Sequence, residues 1–361
     1  MTDACSGFFV YVATAGDNQV TVLHMSSAIE APSIIQKVDL TRYAAAGGVS
    51  TPMALAPDRR FLYVALRKPP LPVVGLAIDP TDGRLSEVGG ARLPASTPYI
   101  LTDRTGRFLF SVANPGATLA VNGIGGDGRV ADRAYQVLHV GHKLHCIAID
   151  ESNRFVYVSS TDDGQILQFR FDSATGRLEP NHPAAITLAG DGDPRHMVFS
   201  PDGRFLYVTT EAGGRVACFA VDRASGPLAE VPGAAMMPAA FAGHPATADL
   251  HLTPDGRFLY ATERALNRIV AYQVDRESGA LAEIEASVTE AVPRAFAIAP
   301  DGGFLLVAGE ASGQLSAYAI DQVSGRLEKG VEITTGPKPN WIEFVEPAAA
   351  AEGGSPITSF R

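Results

Sequence analysis

The chain has 361 residues, 46% of them hydrophobic, with 36 glycines, 25 prolines and a formal charge of −10. An acidic balance argues against nucleic acid or an anionic membrane as partner, and abundant Gly and Pro without a fixed period suit short strands joined by turns. Three scattered cysteines (Cys5, Cys146, Cys218) give neither a disulfide framework nor a CxxC metal spacing, no apolar run approaches the roughly 20 residues of a membrane span, and the first residues lack a basic-then-apolar leader, so a cytoplasmic location is expected.

The first predicted strand is FVYV, starting at Phe9. The same Phe-x-x-Val pattern, or a close variant, returns at Phe61, Phe108, Phe155, Phe205, Phe258 and Phe304. The copies lie roughly fifty residues apart, a period typical of propeller blades. From the second copy on, an apolar run and a tight turn come before the marker, as in PMALA (52–56) with PDRR (57–60) and HMVFS (196–200) with PDGR (201–204). Turn residues between two apolar runs signal a hairpin. A third strand follows each marker and often ends in a second turn, as in RFDSATGRL (170–178) and AIDQVSGRL (319–327), before a short fourth strand. Four antiparallel strands make a propeller blade, so the chain is expected to be an all-β, seven-bladed propeller over 1–345. Phe9 has no room before it for an inner strand, and PNWIEFV (339–345) is a spare one. The ring should therefore close by pairing the C-terminal strand with the N-terminal ones. Residues 346–361 read as a disordered tail.

Two slots can be compared across the repeats. Ten residues before each marker, where the inner strand starts, stand Thr51, Pro98, His145, Arg195, Ala248 and Arg294. Eight before, the residues are all apolar: Met53, Ile100, Ile147, Met197, Leu250 and Phe296. The second slot is core, and the first departs from core in a few blades only, as a site grafted on a repeat does. Six residues after the marker, where the second strand ends, stand Ala15, Arg67, Asn114, Thr161, Glu211, Arg264 and Glu310. Antiparallel pairing brings both slots to one face of the disc, at one mouth of the central channel. His142, His196, Asp249, Glu263 and Lys338 are expected nearby, with His251 further down. Clustered arginine suits a carboxylate or phosphate, and Glu and His supply acid–base capacity.

Each residue also has a plainer reading. An arginine at a blade end more often makes a surface ion pair. His251 alternates with apolar residues and reads as a core histidine bonded within its blade. Asp249 could bind turn amides, and His142 reads as loop. No GxSxG, GxxxxGK[ST], HExxH or CxxC motif is present, so neither a serine nucleophile nor a metal is expected.

The segments TPMALAPDRRFLYVALR, DPRHMVFSPDGRFLYVTTE, ADLHLTPDGRFLYATER and VPRAFAIAPDGGFLLVAGE resemble the bacterial seven-bladed-propeller 6-phosphogluconolactonases, which are themselves similar to fungal propeller cycloisomerases of carboxymuconate. The likeness spans roughly 8–345, and PRHM and DLHLTPDGR are its specific parts. It implies cofactor-free hydrolysis of 6-phospho-D-glucono-1,5-lactone, with His145, Arg195, Glu211 and Arg264 as catalytic residues. Arg67, His196, Asp249, Arg294, Glu310 and Lys338 complete the expected substrate-binding set. Two positions depart from the family pattern. Tyr99 stands where a histidine is expected nearby, and Glu310 adds an acid at the rim. A non-phosphorylated sugar-acid or muconate lactone, hydrolysed or cycloisomerised, therefore stays open as substrate. A non-catalytic docking scaffold would require an exposed aromatic or apolar face, and the sequence has one tryptophan. The partner expected is a small anionic lactone. For the reaction, Arg195 with Arg264 would hold the carbonyl oxygen and Glu211 or His145 would activate water; with Glu211 as the favoured base, His145 would orient the water or act as acid.

Overall fold

The computed structural model describes residues 7–190 and 192–347. The expected tail lies outside the described residues except for Glu346 and Pro347. The described chain forms 28 strands and no helix, arranged as seven four-stranded antiparallel sheets. Six blades are consecutive in the chain. The remaining one, here the first, has the order β28-β1-β2-β3, from β28 (Pro339–Val345), β1 (Phe8–Thr14), β2 (Gln19–Met25) and β3 (Ser33–Asp39). Val12 faces Ile342 and Val10 faces Phe344 across the seam. Ring closure is thus made by the spare strand, as the repeat count requires. Among the described residues no helix is long and apolar enough to cross a membrane.

The repeat motif is explained by contacts between blades. A blade packs on both faces, so its second strand is buried throughout, as in Phe205–Thr210. Each buried phenylalanine contributes about 1.5–3 kcal/mol. The marker ring lies against the glycine of the second turn in the following blade. Gly226 (φ +93°) is one such contact, where a Cβ would approach Phe155 to 2.4 Å. The position demands glycine on two counts, its backbone conformation and the ring beside it. The arginine of the PDGR turn covers the ring it precedes, with Arg204 lying 5.5 Å from the Phe205 centroid.

A tyrosine two residues after the marker adds a latch to the same turn. Tyr11 donates to Gly83 O at 2.9 Å, Tyr207 to Gly279 O at 3.1 Å and Tyr260 to Gly325 O at 2.8 Å. Tyr157 bonds Gly226 O in the same way. Tyr63 is the exception, since its buried hydroxyl has no partner among the described residues. Tyr260→Phe is therefore expected to cost about 1–2 kcal/mol by orphaning a buried carbonyl. Tyr63→Phe should be neutral or stabilising. Urea unfolding of the two variants checks this, and equal losses would refute the latch.

Candidate active site

The inner strands that carry the charged slots share an irregularity. They are β12 (Leu144–Ile149), β16 (Pro194–Phe199), β20 (Thr247–Leu252) and β24 (Pro293–Ile298). In each, the register with the second strand slips just after the strand starts, between Leu144 and Ile147, Pro194 and Met197, Thr247 and Leu250, and Pro293 and Ala295. Such bulges set an extra residue against the partner strand and re-aim side chains. In the first three, the amide turned away from the ladder is caught by a hydroxyl of the second strand. Cys146 N donates to Ser159 Oγ at 2.8 Å, His196 N to Thr209 Oγ1 at 3.1 Å, and Asp249 N to Thr262 Oγ1 at 3.1 Å. Ser159 and Thr209 pass their own protons to Arg195 O (2.9 Å) and Ala248 O (3.2 Å) in the next blade. The bulges are thereby keyed to one another around the channel. Below them the expected core slot is filled, with Ile147, Leu250 and Phe296 each 1% exposed.

Most of the expected residues meet at the mouth. Arg195 is fully buried and donates from Nη1 to Ala248 O at 2.7 Å. Its Nε makes no hydrogen bond among the described residues and lies 3.7 Å from Glu211 Oε2. Glu211 Oε1 pairs with Arg264, whose Nε donates to Ala246 O at 3.0 Å. Burial, reinforced by the Arg264 charge, pushes Arg195 down to about 9, so it stays protonated at neutral pH. Burial raises the Glu211 carboxyl, but Arg195 and Arg264 outweigh it and hold the group below its ordinary range. His145 is buried with Nδ1 unpartnered. Burial, then the charges of Arg195 and its neighbours, keeps it well below the usual histidine range, so it is neutral.

Two cations of the rim differ in their partners. Arg294 is paired with Glu310 through Nη1, at 3.2 and 3.4 Å from the two oxygens. Arg67 rests on neutral acceptors only, with Nε on Ser96 Oγ at 3.1 Å and Nη1 on Ser50 Oγ at 3.2 Å, besides Asn114 O. Four arginines against two glutamates leave the mouth positive in an acidic protein. Lys338 sits at the same end, where its carbonyl accepts Ala15 N at 3.0 Å, but its exposed side chain makes no ion pair among the described residues. His142 is a loop residue bonded to Asp163 at 2.8 Å. Glu263 is buried and accepts the amides of Ala265 and Leu266 in its own turn and that of Ala246 just before the inner strand, which is a structural role.

One layer down, Asp249 holds two histidines. Its Oδ1 lies 2.7 Å from His196 Nδ1, and its Oδ2 lies 3.3 Å from His251 Nε2. It also accepts Leu250 N at 3.0 Å and Phe296 N at 3.2 Å. Asp249 thus binds backbone amides and links blades at once. Burial opposes its ionisation, but His251 and His196 outweigh it and keep the carboxyl far below the usual range. Burial and the nearby Arg195 push His196 down to about 4, so it stays neutral and donates Nδ1–H. His251 is bonded within its blade, yet its side chain is 39% exposed, so it is not a core residue.

Sequence comparison of two slots missed part of the channel wall. Tyr99, Trp341 and Glu343 belong to the same layers as His196 and His251. The Tyr99 ring lies 5.2 Å from Trp341 and 5.6 Å from His196. The signal was present one and three places further along each inner strand, in slots left uncompared.

Residues 35–344 match the family model of the seven-bladed β-propeller lactonases. The chain is 35% identical over 289 residues to a 6-phosphogluconolactonase of Pectobacterium carotovorum, covering 80% of this chain and 84% of that protein. A 6-phosphogluconolactonase of Cronobacter sakazakii is 34% identical with the same coverage. The periplasmic gluconolactonase of Pseudomonas aeruginosa superposes with a TM-score of 0.83 at 27% identity, covering 94% of this chain and 99% of that one. A propeller from Bacteroides fragilis reaches a TM-score of 0.85 at 23% identity, over 96% of this chain and 100% of that one, and bears on the fold alone.

Proposed function

The chain belongs to the seven-bladed β-propeller lactonases, and from that premise we propose that it hydrolyses 6-phospho-D-glucono-1,5-lactone to 6-phosphogluconate at the arginine-lined mouth. The observation that carries this reading is the excess of cation there, above all Arg67, which has no carboxylate partner among the described residues. A phosphate dianion supplies what that guanidinium lacks.

In the proposed reaction Arg195 and Arg264 hold the lactone carbonyl oxygen. Glu211 Oε2, which accepts no hydrogen bond among the described residues, takes a proton from water as the water oxygen bonds to the carbonyl carbon. The ring C–O bond then breaks, and the leaving alkoxide takes up the proton. His145, neutral and with Nδ1 free, accepts a hydrogen bond that orients the water. Donors placed at a developing oxyanion contribute roughly 3–4 kcal/mol each, and general base catalysis roughly 10²–10⁴-fold. The two buried cysteines are free, which fits the reducing cytoplasm expected from the sequence.

Arg67→Ala is expected to raise KM for the phosphorylated lactone about tenfold or more, the scale of a charge-assisted contact of about 1.5–3 kcal/mol. The KM for glucono-1,5-lactone should stay near wild type. Proton release from fresh lactone, followed in parallel for both substrates, reads the difference. Because Glu310 already neutralises Arg294, a non-phosphorylated sugar-acid lactone is the second reading. It gains if wild type prefers gluconolactone and Arg67→Ala affects both substrates alike.

A further inference from the structure

The rings of Tyr99, His196 and Trp341 come from three different blades and meet across the channel, Tyr99 edge to face with the other two and His196 tilted against Trp341, with centroids 5.2–6.3 Å apart. They form a septum. On one side are Arg195 and the cationic mouth. On the other a cavity of about 260 Å³ runs from the septum to Pro300 in the turn at the far end of the inner strand. At roughly 30 Å³ per water, it has room for a ligand of several heavy atoms. Its wall carries Trp341, Tyr99, His251, Asp249 and Glu343.

The sign of charge changes across the septum. The mouth has four arginines against two glutamates. The chamber has two carboxylates and no lysine or arginine in its wall. Asp249 is committed to two histidines and two amides. Glu343 has a single hydrogen bond among the described residues, from Trp341 Nε1 at 2.9 Å. An anion entering the chamber would face both carboxylates. A neutral apolar molecule would leave Glu343 without a further partner. A cation gains the Glu343 carboxylate and the faces of Trp341 and Tyr99, the combination that recognises ammonium groups.

We propose that this chamber is a second binding site, separate from the lactone site, and that it takes a small organic cation of the alkylammonium class.

The effect of pH has a definite sign. Burial, with Asp249 adding to it, pushes Glu343 up to about 7. Burial lowers His251, but Asp249 and Glu343 outweigh it and raise the group. The other titratable groups facing Glu343 are Asp249, which stays ionised, and the neutral His196 and Tyr99. Raising the pH from 6 to 8 therefore ionises Glu343, which favours a cation.

Trp341 is the sole tryptophan, so intrinsic fluorescence reports the chamber directly. The full-length protein is titrated with tetramethylammonium chloride, with sodium chloride at matched ionic strength as control. In parallel it is titrated with tert-butanol, a neutral molecule of nearly the same shape. The expected result is a saturable change with tetramethylammonium alone, tighter at pH 8 than at pH 6. Glu343→Gln should weaken it at least tenfold while leaving lactone hydrolysis unchanged. Absence of saturation, or equal binding of tert-butanol, overturns the proposal, and neither comparison needs a variant. Loss of lactonase activity in wild type would count against the mouth and leave the chamber result standing.

Discussion

Arg195→Ala is expected to lower kcat/KM for lactone hydrolysis by about 10²–10³-fold, the usual effect of removing one preorganised oxyanion donor. The size follows from where the guanidinium sits. It is 2% exposed, anchored on Ala248 O, and its Nε is free among the described residues and directed near Glu211. Water cannot replace it cheaply in such a place. Because Arg195→Ala also removes packing, Arg195→Lys is the cleaner companion. A lysine keeps the charge but lacks the planar fork that reaches Ala248 O and Glu211 together. Most of the loss in kcat should therefore persist in the lysine variant with the melting temperature near wild type. Glu211→Gln should fall by a similar factor. Since Glu211 is ionised and His145 neutral across the neutral range, the wild-type rate should not fall with acid until the pH enters the carboxylate range. Wild-type-like rates in both Arg195→Ala and Glu211→Gln would sink the assignment. An acid limb well above the carboxylate range would contradict Glu211 as the base.

Asp249→Ala is expected to destabilise the fold by about 3–5 kcal/mol, the cost of breaking a buried ion pair from one side. The carboxylate satisfies His196, His251 and the amides of Leu250 and Phe296, and these span the fifth, sixth and seventh blades. Asp249→Asn keeps the shape and should cost less. Its deficit carries a pH signature. The Asp249 carboxyl is held below its ordinary 3.8, so its contribution is full above that pH and is lost as pH falls through the lower, folded value. His251 is raised above its ordinary 6.5, so its contribution is full below 6.5 and is lost as pH rises through the folded value. The gap between wild type and Asp249→Asn should therefore be widest between about pH 4 and 6.5. Urea midpoints across pH 3–9 measure it, and a gap that grows steadily toward pH 9 would contradict the pairing.

The blade count, the order of strands within a blade and the closing strand were legible because they rest on apolar periodicity, which every copy repeats. The charged mouth was legible because Arg195, Glu211 and Arg264 break that repetition at matched slots. The layer beneath was not. Simple alternation along a strand sends neighbours to opposite faces, so Arg195 and His196 should point apart. The bulge at Pro194/Met197 brings both to the channel, and nothing in PRHM alone announces it. A hint lay in the second strand, where Ser159, Thr209 and Thr262 place a hydroxyl opposite three of the four bulges. Ion pairing was equally unreadable. Arg294 and Arg67 occupy equivalent ends of their blades, yet only the fold shows that Glu310 has claimed the first.

The blade shared by the two chain ends sets an order on biosynthesis. The β1–β2–β3 unit is translated before every other described strand, yet its inner neighbour, Pro339–Val345, follows all of them. At roughly 5–20 residues per second, the wait is on the order of half a minute. Through that interval the other six blades can stack as they emerge, while the outermost three-stranded unit presents the bare edge of β1, buried in the finished ring. A nascent chain stalled before Trp341 would expose that edge indefinitely. Quality control that recognises unpaired strands should therefore distinguish a chain cut before Pro339 from one that carries the closing strand far more sharply than the lost mass suggests.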